Sequence, residues 1–257
     1  MVRLICYNIE YCEGIPGRWY EYLKFWKVFH APKKLQKDLI NSLKKLKPDI
    51  LALVEVDTGS IRSNFKDEAV EISKKLKLKN LIEKVKYPIK GWISLFHHIP
   101  ILDKQGNAII SKYRLEDVKY HFLSKGTKRV VIEVTIKNKH KVTLLLAHLS
   151  LRKRKRKIQI KELIQIVKKI KNPIILMGDF NTFNGVEEIK QLLKETQLED
   201  KIYLDKKNIH LTEPSFNPKR RLDYILTSKK IKVKKYKILK FPFSDHLPLM
   251  IDYEVKD

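Results

Sequence analysis

Short apolar runs rich in Val, Ile and Leu recur from one end of the chain to the other. Their length and their β-branched content predict buried strands. The runs are RLICYNI at residues 3–9, DILALVEV at 49–56, GNAIISK at 106–112, RVVIEVTI at 129–136, KVTLLLAHL at 141–149, PIILMGDF at 173–180, LDYILTS at 222–228 and LPLMIDY at 247–253.

Stretches between these runs place apolar residues near a period of 3.6 and predict amphipathic helices. They are residues 19–29, 33–46, 65–78, 156–171 and 185–196. Because no Gly-, Ser- or Pro-rich linker, repeat or compositional break divides the chain, we expect one domain over residues 1–257. Strands outnumber helices and do not alternate strictly with them. The pattern therefore predicts an α/β fold with two packed mixed sheets flanked by helices, a four-layer α/β/β/α sandwich.

Length and composition narrow the class of protein. The 257 residues, 43% of them hydrophobic, suffice for a sizeable core. The opening MVRLICYNIEY alternates like a strand and lacks the features of a signal peptide. Residues 91–102 are the longest stretch without a formal charge, and they fall short of the roughly 20 residues that cross a bilayer. Cys6 and Cys12 fit neither a disulfide framework nor a zinc site, so we expect buried free thiols in a cytosolic protein without a spanning helix.

The balance of charge is strongly basic. The chain has 55 Lys and Arg residues against 29 Asp and Glu residues, a net charge of +26. Such a surface attracts polyanions, whether nucleic acid, an acidic lipid surface or a phosphorylated metabolite. A compositional bias of the genome or adaptation to heat would produce the same excess of lysine without any such partner. The charge therefore permits a polyanionic partner but does not identify one.

Several predicted strands stop at a compact polar cluster. The runs lead to Asn8, Glu55 and His148, and the motif GDFN places Asp179 and Asn181 after the next run. Ligand sites in α/β folds form just beyond strand ends, where side chains from several strands converge. We therefore expect these five side chains to meet.

Two later motifs add an imidazole and two carboxylates. LDYIL supplies Asp223, and SDHLPL supplies Asp245 and His246. A carboxylate that accepts from one ring nitrogen of a histidine fixes its tautomer and favours its protonated form, and Asp223 with His246 suits this role. Each motif alone also has a purely structural explanation. An Asp-His dipeptide occurs in capped turns, GDFN forms Asx turns, and a lone histidine such as His148 occurs in protein cores.

The order of the motifs is more specific than any one of them. YNI, PDILALVEV, GNAIIS, AHL, GDFN, LDYIL and SDHLPL follow one another over residues 2–251. This series resembles the endonuclease/exonuclease/phosphatase superfamily of metal-dependent phosphoesterases. The His-Leu pair at His148 is similar to the deoxyribonuclease, sphingomyelinase and inositol phosphatase branches, and unlike the abasic-site endonucleases.

The resemblance implies a metal site. It matches Glu55 to the family's metal-binding glutamate, with Asn8 and Asp245 beside the metal. Oxygen ligands without cysteine suit Mg²⁺ or Mn²⁺.

The resemblance also implies catalytic roles. Asp179 would orient or deprotonate the attacking water, Asn181 would hold the phosphate, and His246, paired with Asp223, would donate to a non-bridging oxygen. His148 becomes a candidate phosphate contact. We add Asn107 of GNAIIS and Arg129, which with Lys128 precedes a strand, as candidate substrate-binding residues, although the two basic residues would also suit a sheet edge.

These features predict a divalent-metal-dependent phosphodiesterase with nucleic acid as the favoured substrate. A phospholipid or inositol phosphate is the alternative substrate, and a catalytically silent polyanion-binding protein is the alternative from another class. The aromatic segment 17–32 and residues 87–101 suit either substrate contact or packing. The basic run 152–157 should open a helix whose buried face includes Ile158 and Ile160, with most of the run facing solvent.

Overall fold

The computed structural model describes residues 1–14, 32–85, 104–205, 210–241 and 243–256. The predicted helix at 19–29, most of the aromatic segment 17–32 and residues 87–101 lie outside the described residues. The strands are β1 Val2–Asn8, β2 Ile50–Asp57, β3 Asn80–Val85, β4 Gln105–Ser111, β5 Arg114–Phe122, β6 Val130–Lys137, β7 Lys141–His148, β8 Ile174–Asp179, β9 Glu199–Asp200, β10 Asp223–Thr227, β11 Ile231–Ile238 and β12 Leu249–Val255. The α-helices are α1 Lys33–Leu46, α2 Glu68–Leu76, α3 Lys153–Lys168 and α4 Lys190–Thr196.

The strands form two six-stranded sheets. The first has the order β11-β12-β1-β2-β4-β3 and the second has the order β5-β6-β7-β8-β10-β9. Each sheet contains one parallel pair at its centre, β1 with β2 and β7 with β8, while the other pairs are antiparallel. Both sheets are therefore mixed, as predicted.

Three apolar clusters define the layers. The cluster between the sheets takes side chains from both, including Leu4, Ala52, Ile132 and Leu146. A second cluster packs α3 and α4 on the outer face of the second sheet. The third packs α1 and α2 on the outer face of the first sheet. This arrangement confirms the four-layer α/β/β/α sandwich.

Local details confirm some expectations and correct others. Helix α1 has the predicted bounds, and Cys6 and Cys12 are buried free thiols. The basic run opens α3 as expected, yet Arg156 within it is 1% exposed, and Ile158, expected inside, is 40% exposed. The helix is rotated so that Arg156, not Ile158, faces the sheet. Among the described residues, the structure contains no helix long and apolar enough to cross a membrane.

Candidate active site

The polar residues at the strand ends meet where the central strands of the two sheets terminate. In the second sheet, His148 and Asp223 both lie opposite Asp179, because β7 and β10 flank β8. In the first sheet, Asn8 ends β1, and its side-chain Nδ2 donates to Asp179 Oδ2 across the sandwich at 3.2 Å. The predicted convergence is therefore present, with Asp179 at its centre.

Close packing of β8 against β7 depends on a glycine. Gly178 has φ +136°, and a Cβ there would lie 1.8 Å from the carbonyl oxygen of Ala147. Only a residue without a side chain fits this approach. The glycine of GDFN thereby sets the register that puts His148 beside Asp179.

His246 and Asp223 form a buried pair. The ring nitrogen Nδ1 of His246 lies 2.7 Å from Asp223 Oδ2, and both side chains are nearly inaccessible. Burial alone would lower the pKa of His246, but the negative charges of Asp223, Asp245 and Asp179 raise it well above its ordinary value. These charges favour the protonated, cationic form of His246, and its other nitrogen, Nε2, lies 3.9 Å from Asp179 Oδ2.

Asp179 is held as an anion. Burial would raise its pKa, but the charge of His246 and the contact with His148 outweigh that effect and lower the pKa. The Nε2 of His148 lies 3.3 Å from Asp179 Oδ2. The backbone N–H of Asn181 donates to Oδ1 at 2.9 Å. A carboxylate held in this way is a weak base and a well-oriented acceptor, which suits the positioning of a water better than its complete deprotonation.

A cluster of carboxylates adjoins this centre. Burial first, and then mutual repulsion, raises the pKa of Glu10 well above its usual range, that of Glu13 to about 7 and that of Asp245 to about 6. Glu55 contributes to all three shifts through its charge. Glu13 is already paired with the buried guanidinium of Arg62. The other carboxylates, which repel one another in a buried place, would be stabilised by a cation, and such oxygen donors suit Mg²⁺ or Mn²⁺.

Backbone strain marks the same residues. Glu55 has φ +58° at a bulge between β2 and β4, Asn181 has φ +51° and Glu10 has φ +47°. Non-glycine residues rarely adopt this left-handed conformation, which costs about 1–2 kcal/mol and recurs at functional sites. In β2, the bulge makes Glu55 the extra residue, so that its carboxylate can turn towards Lys128 and His148, 3.3 and 3.8 Å away.

The profile of the Endonuclease/Exonuclease/phosphatase family matches residues 7–246. The chain belongs to this family. Members of the endonuclease/exonuclease/phosphatase family are hydrolases that act on phosphoesters and generally use divalent metals. No curated protein matches the sequence.

Solved structures share the fold. The human nocturnin catalytic domain, which contains a bound sulfate anion, is 22% identical with a TM-score of 0.73, over 99% of this chain and 94% of that one. A D. rerio TDP2 humanized by 14 mutations is 13% identical with a TM-score of 0.71, over 99% of both chains. A mannosyl-6-phosphatase from Bacteroides thetaiotaomicron is 15% identical with a TM-score of 0.70, over 99% of this chain and 100% of that one.

Among the residues that the structure describes, two groups could hold a metal. Asp179, Asp223 and His246 offer atoms within 4.8 Å of one another. However, the His246 nitrogen nearest Asp223 is already hydrogen-bonded, and the charges that favour the protonated ring disfavour its use as a metal ligand. We therefore favour the carboxylate cluster of Glu55, Asp245 and Glu10. Asn8 lies between the two groups, since its Oδ1 accepts from the backbone N–H of Glu10 at 3.1 Å.

Asn107 and Arg129, the two predicted substrate contacts, differ in their relation to the site. Asn107 is buried and its Oδ1 accepts from the backbone N–H of Glu55 at 3.3 Å, which supports the bulge. The guanidinium of Arg129 donates instead to the carbonyl of Leu123. The neighbouring Lys128 reaches the site, with its Nζ 3.3 Å from Glu55 Oε1.

Some residues of the site carry no motif of their own. Glu10 and Glu13 follow YNI, and a short 3₁₀ turn, Glu10–Cys12, brings them to the cluster. Ser244 donates to the carbonyl of Asn8 at 2.7 Å and accepts from the backbone N–H of His246 at 3.2 Å, which ties the SDH loop to β1. In the sequence, the feature that could have identified Ser244 is its position directly before Asp245 in SDHLPL.

Proposed function

We propose that this protein is a divalent-metal-dependent phosphodiesterase that hydrolyses its substrate by in-line attack of an activated water, with nucleic acid as the favoured substrate. The observation that carries the proposal is the meeting of a cationic histidine, an anionic aspartate and a cluster of mutually repelling carboxylates at one end of the sandwich. The family's phosphoester chemistry needs each of these three elements.

Each group has a role that its surroundings support. Asp179, kept ionised, accepts a hydrogen bond from the attacking water and aligns it with the phosphorus. His246 donates from Nε2 to an oxygen of the phosphoryl group as negative charge develops there, while Asp223 keeps the ring protonated. A divalent cation bound by Glu55 and Asp245 would neutralise the phosphate charge and polarise it.

The hydrogen bonds of Asn181 differ from its predicted role of holding the phosphate. Its Nδ2 donates to the carbonyl of Leu149 at 2.9 Å and to Asp179 Oδ2 at 3.1 Å. Both N–H groups of an amide are thereby used, and Asn181 orients Asp179 in this state. The role of holding phosphate stays a prediction and requires one of these bonds to be exchanged for the substrate.

The first test measures hydrolysis of bis(p-nitrophenyl) phosphate with Mg²⁺ or Mn²⁺. Asp179→Asn should lower kcat/KM by about 10²–10⁴-fold while the variant stays folded, because it removes the acceptor for the water. Asp117→Asn changes an exposed aspartate in the same chemical way and should leave the rate unaltered. Equal rates in wild type and Asp179→Asn would overturn the proposal.

A second test concerns the substrate. Cleavage of oligonucleotides should slow steeply as salt rises, since each phosphate contact releases bound counterions. The mannosyl-6-phosphatase among similar structures makes a phosphomonoester a necessary comparison, with p-nitrophenyl phosphate as the probe. Inositol phosphate and phospholipid panels complete the comparison.

We also propose a cytosolic location, with which the two buried free thiols accord.

A further inference from the structure

Lysines are concentrated on one edge strand of the first sheet. Seven fall within residues 229–240, and this segment contains β11, which ends the sheet. Lysine on an edge strand prevents pairing with other sheets, so density alone does not identify a partner. The positions of the lysines within the strand are more informative.

A β-bulge gathers three of the lysines on one face. The register between β11 and β12 shifts between Val233 and Lys235, so that Lys234 is the extra residue. After the shift, lysines occupy every second position of the ladder on one face. The pairs are Lys232 with Glu254, Lys235 with Asp252 and Lys237 with Met250.

The opposite face of β11 is apolar. Ile231, Val233, Tyr236 and Ile238 pack into the cluster between the sheets. Without the bulge, strict alternation from Lys232 would bring Tyr236 to the lysine face. The bulge therefore keeps the core residues inside and the three lysines outside, at a repeat of about 7 Å.

These three lysines form no close ion pair among the described residues, although the charge of Lys232 acts on the facing Glu254 and helps to lower its pKa. Lys232, Lys235 and Lys237 are exposed, and no ion pair involving them is present among the described residues. The nearest acids have other partners. Glu254 pairs with the bulged Lys234 at 3.1 Å, and Asp252 binds the guanidinium of Arg3 at 2.7 and 2.9 Å.

The strand ends near the candidate active site. The backbone N–H of Leu239 donates to Pro248 at 2.9 Å, and the connecting segment leads into the loop of Ser244 and His246. Phe241 anchors this segment, because its ring packs edge-on against Tyr7 at 6.3 Å. Strands β11 and β1 are separated by β12 alone, about 10 Å across the sheet. Lys237 lies level with Ile5, three residues before Asn8, and Lys232 lies level with the start of β1, so that the row leads away from the site.

We infer that Lys232, Lys235 and Lys237, here called the lysine row, form a binding track for the phosphate backbone of a single-stranded nucleic acid whose scissile phosphate occupies the active site. The inference rests on the proposed function and names the substrate's path outside the centre. A regular row of exposed cations matches a regular row of phosphates, and its repeat is comparable with the spacing of phosphates in an extended strand.

The test compares two triple variants. In one, Lys232, Lys235 and Lys237 are changed to Gln. The matched control changes the same number of exposed lysines to Gln on the other sheet, Lys157 and Lys161 of α3 and Lys169, which directly follows it. Both carry the same net charge, so that a general electrostatic effect changes both equally.

Binding of a fluorescein-labelled 20-nucleotide oligo(dT) is measured by anisotropy over a range of salt, in an Asp179→Asn background that prevents cleavage. Loss of three phosphate contacts should lower the slope of log K against log salt by about 2, since each contact with a single strand contributes about 0.7. The control should retain nearly the full slope. In the Asp179-containing protein, the lysine-row variant should hydrolyse bis(p-nitrophenyl) phosphate at the wild-type rate, because that probe does not reach the row.

Three outcomes overturn the inference. Equal slopes in the two triple variants would show that the lysine row does not bind the oligonucleotide and only protects the sheet edge from pairing. If the parent protein does not bind the oligonucleotide at all, the binding track is refuted, even if the small diester is hydrolysed. Loss of binding to phosphatidylserine vesicles in the lysine-row variant, with oligonucleotide binding intact, would assign the row to a membrane surface. Failure to hydrolyse any diester is distinct from all three and would refute the proposed function itself.

Discussion

The charge of His246 depends on Asp223, and Asp223→Asn tests that dependence. The substitution preserves the shape of the side chain but removes its negative charge from Nδ1 of His246, 2.7 Å away. Burial lowers the pKa of His246, while Asp223 leads the charges that raise it. Without Asp223, the buried ring should lose its proton at a lower pH.

The expected effect on His246 follows from the strength of its hydrogen bond to Asp223. A hydrogen bond to a charged group contributes about 1.5–3 kcal/mol, of which a neutral amide retains only part, so the protonated ring loses stabilisation and the pKa of His246 should fall. In the proposed mechanism, the protonated form of His246 is the active one. Because that form is present below the pKa and lost as pH rises through it, the alkaline limb of kcat/KM should move to lower pH.

The assay is the pH profile of diester hydrolysis at saturating Mg²⁺, together with an NMR titration of the histidine ring. Asp200→Asn is the matched control, since Asp200 also neutralises a buried cation, Arg221 at 2.7 Å, without being placed in the site. Its alkaline limb should coincide with that of the wild type. If Asp223→Asn lowers the rate but leaves the limb and the NMR titration unchanged, Asp223 does not control the charge of His246.

Two further predictions concern stability. Burial raises the pKa of Glu68 to about 8, so the folded state binds its proton more tightly and the free energy of unfolding should fall between about pH 5 and 8, by up to about 1.4 kcal/mol per unit. Glu68→Gln should flatten this slope in urea titrations, and an unchanged slope would contradict the assignment. Gly178→Ala forces a Cβ to within 1.8 Å of a backbone oxygen and should abolish folding or activity, whereas Gly185→Ala, with nothing within 4 Å, should lower the free energy of unfolding by about 1–2 kcal/mol.

The fold could be predicted from the sequence wherever strands are buried on both faces. The eight predicted strands are the eight interior strands of the two sheets, whose residues form nearly continuous apolar runs. The strands that the pattern missed among the described residues, β3, β5, β9 and β11, are the four sheet edges. An edge strand pairs on one side and carries charged residues on its exposed face, as in β5 and β11, so its apolar pattern is weak or short.

The candidate site could be predicted where a residue ends a strand. Asn8, His148 and Asp179 lie at strand ends, and the sheets bring them together because their central strands end at the same place. Glu10 could not be found in this way, because a turn with positive φ, invisible in the sequence, directs its chain back to the site. The sequence likewise could not tell which of Lys128 and Arg129 reaches the site, because that depends on the side of the strand that each side chain faces.

The two basic segments of the chain differ because a helix and a strand distribute consecutive residues differently. A run of six residues in a helix covers more than one turn of 3.6 residues, so at least one side chain faces the sheet. In residues 152–157 that residue is Arg156, which binds Glu188 at 2.8 and 2.9 Å and two backbone carbonyls at 2.8 Å. A strand has a period of two, so lysines at alternate ladder positions all face solvent, and in β11 the bulge maintains that spacing. Both segments are densely basic, but only the strand arranges its charges as a regular row. For this reason the polyanion track is expected at β11 and not at the longer uninterrupted basic run.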